Sequence, residues 1–225
     1  MFNYTLIRSN RKTVALYVRP DAGLEVRAPL RMSRAAIDQF VASKESWIGK
    51  NLSLVRERNA RKAAFALHYG DKLPLRGGEF PISARAGNRL GFDGEQFYMP
   101  PELSEEKIRA ACVQIYRLAA RRILPEKTAE FSKRMGAAPR AVKINSARTR
   151  WGSCSAQQNL NFSWRLLMAG DDVIDYVVVH ELAHLREMNH GPRFWAIVAG
   201  VLPDYKDRQR RLKVLQKRLS GENWK

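Results

Sequence analysis

The chain has 225 residues, enough for one large domain or two small ones with a proper core. Apolar residues at 45% and only 10 prolines exclude a disordered or collagen-like polymer, and no uncharged apolar run approaches the roughly 20 residues of a membrane helix. Lys and Arg number 40 against 22 Asp and Glu, a formal net charge of +18 that bears on anionic partners rather than on the fold. Two cysteines, Cys112 and Cys154, cannot build a disulfide framework. The opening MFNYTLIRSNRK lacks the apolar core of a secretory signal, so a cytoplasmic location is expected.

In chain order, Val14–Val18 and Leu24–Ala28 flank a Pro20-Asp-Ala-Gly23 turn and predict a β-hairpin. Ser33 is the expected N-cap of one helix carrying Ile37, Phe40, Val41, Trp47 and Ile48. Glycines punctuate short strands from Leu67 onward, including Phe80-Pro-Ile-Ser and Gln96-Phe-Tyr-Met. Pro100–Pro101 is the expected boundary between a β-rich part, 1–101, and a second part, 102–225. Ser104-Glu-Glu opens a long helix with Ile108, Cys112, Ile115, Ala119 and Ile123 on one face, which makes Cys112 a core residue. Leu160, Phe162, Trp164 and Leu166 alternate with polar residues, predicting a half-buried strand over 159–166. Residues from Val142 to Trp151 are its expected hairpin partner, with Gly152–Ser155 in the turn. Asp171 or Asp172 should cap an apolar helix from Val173 to about Glu187, and a basic helix should run from about Asp204 to Leu219. The fold class expected is α+β, a β-rich first part followed by a zincin-like, helical metal-binding half with a small sheet.

Of four histidines, three fall within eleven residues, in His180-Glu181-Leu-Ala-His184 and then His190. Four helical residues advance about 400°, so His180 and His184 share a face and can reach one ion about 2.0–2.1 Å away. Glu181 stands one position on, beside the ion rather than on it, where a general base belongs. Chance would place such a pattern about 0.004 times in a chain of this composition. His190 needs the chain to turn back, and its neighbours Asn189 and Gly191 tolerate the left-handed backbone of such a turn. Three histidines leave a coordination position open, as in catalytic zinc sites; structural sites are closed by four ligands. Asp171, Asp172, Asp175 and Glu187 are candidates to orient the imidazoles. Cys154 is expected as a small turn residue rather than a fourth ligand, and His68 as an ordinary surface or packing histidine.

Positive charge is concentrated in residues 131–170, which hold Lys133, Arg134, Arg140, Lys143, Arg148, Arg150 and Arg165 and no carboxylate. Such a field draws polyanions, so non-specific nucleic-acid association through the basic surface is a candidate property. The segment Lys206–Arg218 adds seven basic residues against Asp207 alone.

Arg148-Thr-Arg-Trp-Gly-Ser-Cys-Ser155, Asn161-Phe-Ser-Trp-Arg165, Val173–Leu185, Asn189-His-Gly-Pro-Arg-Phe-Trp195 and Pro203-Asp-Tyr205 together resemble the YgjP-like metallopeptidases. Arg11-Lys-Thr, Val26-Arg-Ala-Pro29 and Trp47-Ile48 extend the resemblance over nearly the whole chain. That family is similar to the WLM and SprT-like zinc proteases. The resemblance implies zinc on His180, His184 and His190, acid/base catalysis by Glu181, and a protein or peptide substrate. By motif, Arg150, Arg165 and Tyr205 are the candidates for oxyanion or substrate contacts. The ligand spacing is also that of metzincins, but Glu187 stands where they have glycine. Two other functions fit the same residues: a metal-dependent pyrophosphatase of nucleoside triphosphates such as UTP, described for some YgjP-like members, and a nucleic-acid-associated protein with structural zinc.

Overall fold

Apolar residues alternate with charged ones along Leu24–Ala28, and the strand over Leu24–Pro29 (β3) buries Leu24, Val26 and Ala28 while Arg27 faces out. In the computed structural model, which describes residues 2–224, it is the central strand of a small sheet. Strand β1 (Thr5–Ser9) pairs with it in parallel and β2 (Ala15–Val18) antiparallel, so the expected hairpin forms. Ala22 takes the left-handed turn position (φ 61°), and the Gly23 N–H donates to the Asp21 carboxylate at 2.9 Å.

The single helix expected after Ser33 is two. Helix α1 (Arg34–Ser43) is capped by the Ser33 hydroxyl, which accepts from the Ala36 N–H at 3.2 Å. Helix α2 (Glu45–Ala63) follows a break at Lys44 (φ −109°, ψ 15°). Ile37, Val41, Ile48 and Leu52, at spacings of 4, 7 and 4, face the core, whereas Trp47 lies off that face and is 46% exposed. These elements form one compact unit, the residues up to Phe65 with Ser220–Asn223.

The second unit comprises Ala66–Leu219 with Trp224, so Pro100–Pro101, where the sequence suggests a boundary, lies inside it. Its first sheet is ordered β4 (Lys72–Leu75), β5 (Gly78–Ala84), β7 (Phe97–Met99), β6 (Gly91–Phe92). Helix α3 (Glu105–Met135) starts at Ser104, whose hydroxyl accepts from the Lys107 N–H, and ends at Gly136 in the left-handed conformation (φ 58°). Phe97 of β7 packs on Tyr116 of α3 at 5.3 Å between ring centres, and Tyr116 stacks on Trp164 at 5.5 Å. The Tyr116 hydroxyl donates to the Pro74 carbonyl at 2.6 Å. This aromatic column makes sheet and helix one core across the prolines. Cys112 is fully buried on α3, and burial pushes its thiol up to about 12, which makes it inert.

The second sheet differs from the expected hairpin. Strand β10 (Asn159–Ser163) lies between β8 (Ala141–Asn145), parallel to it, and β9 (Gly152–Cys154), antiparallel to it. Gly152–Cys154 is therefore the strand itself, and the turn falls at Ser155–Gln158, where Gln158 has φ 60°. The expected strand stops at Ser163, and Trp164–Met168 form a 3₁₀ turn in which every residue is buried, unlike the half-buried alternation expected there. Helices α4 (Asp171–Ala183), α5 (Pro192–Val201) and α6 (Tyr205–Leu219) complete the unit. Six α-helices and three small sheets make the described chain α+β, as expected. Among the described residues no helix is long and apolar enough to cross a membrane.

Candidate metal centre

Helix α4 begins at Gly170, not at an aspartate cap; Asp171 and Asp172 occupy the first turn, where their charge favours the positive helix end. Val173, Ile174, Val177, Val178 and Val179 are all buried, so packing overrides the weak helix propensity of β-branched residues. The helix closes at Ala183 with His184 as its cap, one turn short of the expected Glu187. The chain then reverses through tight bonds from the N–H groups of Leu185, Arg186 and Glu187 to the carbonyls of Leu182 and Ala183. Neither Asn189 nor Gly191 is left-handed; Gly191 is the extended N-cap of α5 (φ −80°, ψ −177°), ahead of Pro192.

That reversal brings His190 back to α4. One ligand atom each from His180, His184 and His190 lies within 4.8 Å of the others. The Nε2 atoms of His180 and His190 are 3.1 Å apart. Two nitrogens on a tetrahedral zinc at 2.0–2.1 Å stand roughly 3.3 Å apart, so the spacing suits such an ion. His184 Nδ1 lies 3.2 Å from the Glu187 carbonyl, which leaves its Nε2 for the cluster. Burial, with the neighbouring imidazoles, pushes His180 down to about 3, and burial also lowers His184, holding both in the neutral form that ligates metal.

Of the carboxylates expected behind the imidazoles, none is engaged there. Asp171 binds Arg76 at 2.6 Å, Asp175 binds Lys127 at 2.6 Å, and Asp172 binds Arg211. Glu187 contributes its carbonyl rather than its side chain. Instead, Phe194, fully buried on α5, packs against all three rings, 4.9 Å from His180 and 4.6 Å from His184 and His190. Trp195 stacks on His190 and on Tyr205, 5.3 Å from the latter. Both aromatics sit within a stretch singled out above only by family resemblance; the Gly191-Pro192 helix start was the available local signal for α5.

Glu181 is 6% exposed and faces β9. A Cβ on Gly152 would lie 2.5 Å from its Oε1 and 2.7 Å from its Cδ, so only glycine leaves room for this carboxylate. Burial pushes the Glu181 carboxyl up to about 8, against a lowering by the Arg150 charge. Glu181 and His180 line a cleft of about 360 Å³ walled by Trp151, Tyr176, Val177 and, from α6, Leu212.

Arg150 is exposed on the β8–β9 loop and acts on Glu181 through its charge. Tyr205 is half-buried against Trp195. Arg165 is not at this site: its guanidinium donates to the carbonyls of Ser146, Ala147 and Trp224 and lies over the Trp164 ring, in a different cavity. It follows the end of β10, where the chain leaves the strand and reverses the expected facing. Cys154 is half-buried in β9, its thiol raised by burial and by the Glu181 charge, and it is not among the converging ligand atoms. His68 is exposed and pairs with Glu105 at 3.0 Å and Asp71 at 3.4 Å.

The family profile described as YgjP-like, metallopeptidase domain, matches residues 12–215. No curated protein matches the chain. Among solved structures, the metallopeptidase zymogen of Pyrococcus abyssi abylysin is similar at 20% identity and a TM-score of 0.39, over 41% of this chain and 93% of its own. The metallopeptidase zymogen of Methanocaldococcus jannaschii jannalysin is similar at 18% identity and a TM-score of 0.36, over 42% of this chain and 95% of its own.

Proposed function

The chain belongs to the YgjP-like metallopeptidase family, and we propose that it is a zinc-dependent peptidase in which His180, His184 and His190 hold the ion and Glu181 is the general acid/base. The observation that carries this is the convergence of three imidazoles beside a buried carboxylate that opens on a cleft. Three nitrogen donors, with no thiolate or carboxylate converging with them among the described residues, suit zinc with a free coordination position. Bound there, zinc would supply the Lewis acidity that activates water and polarises a peptide carbonyl. Glu181 takes a proton from the attacking water on its carboxylate and hands it to the departing amine, so the proton is returned within one turnover. Gly152 keeps that carboxylate at the cleft, and Phe194 with the Glu187 carbonyl holds the imidazoles in their orientation.

Arg150 and Tyr205 are the two remaining candidates for stabilising the oxyanion. Arg150→Gln and Tyr205→Phe separate them: the true donor loses about 10²–10³ in kcat with KM little changed, and the other variant keeps its kcat. The reading as a whole is tested on an unfolded casein-like substrate. The zinc-loaded chain should cleave it, lose activity on chelation and regain it with added zinc. Intact substrate alongside pyrophosphate release from UTP would overturn it.

A further inference from the structure

Three arginines that the metal centre does not use converge on a second cavity. It measures about 400 Å³ and is lined by Arg117 from α3, Ser146 and Arg148 from the β8–β9 loop, Arg165 from the 3₁₀ turn, and Trp224. Arg165 is 7% exposed. Its Nη1 donates to the Ser146 carbonyl at 2.8 Å, and Arg117 Nη2 donates to the Ser146 hydroxyl at 2.7 Å, so two guanidiniums meet at one serine. Among the described residues, none of the three forms an ion pair with a carboxylate.

A buried cation without a counter-charge is costly, and like charges beside it add to the cost. Burial, then Arg148 and Arg117, depress the Arg165 guanidinium to about 10, in keeping with that geometry. Carbonyl partners accept from both of its Nη groups but bring no negative charge to the three guanidiniums. The acid-free stretch 131–170 supplies two of the three arginines, so the positive excess has here a concave and partly desolvated focus.

We propose that this cavity is an anion site for a phosphate group, free or carried on an ester. Planar guanidinium forks match the oxygens of a tetrahedral dianion, and three of them suit a dianion better than a single carboxylate. The site is separate from the metal centre and does not rest on the peptidase reading. One loop nevertheless serves both, since Ser146 and Arg148 line this cavity while Thr149 and Trp151 line the catalytic cleft.

The test compares the full chain with Arg117→Gln/Arg148→Gln, both exposed positions, in a low-salt buffer without oxyanions. Inorganic phosphate should raise the melting temperature of the wild type, and calorimetry should give at least tenfold weaker phosphate binding in the double variant. Without phosphate, the double variant should melt no lower than the wild type, because repulsion around Arg165 is relieved; a merely structural role predicts the opposite. An oligothymidylate that competes with phosphate would identify a nucleic-acid backbone as the source of the group, with the slope of log K against log salt falling by about 1.4 in the double variant. Phosphate binding without such competition would identify a free phosphate or a monoester. The proposal is overturned if phosphate does not stabilise the wild type, if it binds both proteins equally, or if the double variant is destabilised in the anion-free buffer.

Discussion

Glu181→Gln should lower peptide hydrolysis by about 10²–10⁴-fold while the protein stays folded. The amide has the shape of the carboxylate, so it still fits the space that Gly152 leaves and the packing of α4 against β9 is unchanged. It cannot accept the proton of the attacking water or return one to the leaving amine. The amide never carries a charge, and burial already disfavours the charged form of this carboxyl, so the variant should melt no lower than the wild type. The loss should therefore appear in kcat, with KM for a peptide substrate little changed. A Glu181→Gln enzyme with near-normal kcat would remove Glu181 from the chemistry.

The second large effect is expected from a residue with no reactive group. Gly152→Ala places a methyl 2.5–2.7 Å from Oε1, Cγ and Cδ of Glu181, closer than any real contact allows. Gly152 is not among the left-handed positions, so its backbone accepts alanine, and the three nearest atoms the methyl would meet all belong to the Glu181 side chain. Glu181 must move, and a shift of about 1 Å at a reacting group can cost about 10²-fold in rate. Overpacking against the buried Glu181 side chain should also cost about 1–3 kcal/mol. Both effects trace to one contact, which a double-mutant cycle isolates: in a Glu181→Ala background the stability cost of Gly152→Ala should largely disappear. An additive cycle, or a Gly152→Ala enzyme with full activity, would show that β9 does not position the carboxylate.

These two residues mark what was legible in the sequence and what was not. The i,i+4 spacing of His180 and His184, with Glu181 between them, is a property of a single helix, so the approach of the two imidazoles could be read directly. The β2–β3 hairpin and the α3 cap at Ser104 are likewise local and formed as expected. Pairing between distant segments was harder. Gly152-Ser-Cys-Ser155 carries turn-forming residues, yet Gly152–Cys154 is a strand, because its glycine answers to Glu181 across the sheet–helix contact and not to a turn. The parallel partnership of β8 with β10 depends on a chain path that no window of residues records. Arg165 is a candidate by motif, yet it lies where β10 has given way to a 3₁₀ turn and its guanidinium goes inward to carbonyls, away from the cleft. The return of His190 needed no left-handed residue, because a short α5 starting at Pro192 carries Phe194 under the rings.

The most direct measurement is metal content and peptide hydrolysis determined together on the zinc-loaded chain and its site variants. The wild type should hold one zinc per chain and cleave peptide. Glu181→Gln should hold the same zinc and not cleave, while His180→Ala, His184→Ala and His190→Ala should each lose both. Zinc retained at full stoichiometry after loss of one of these histidines, or lost along with activity in Glu181→Gln, would contradict a centre built from three imidazole ligands and a separate catalytic carboxylate.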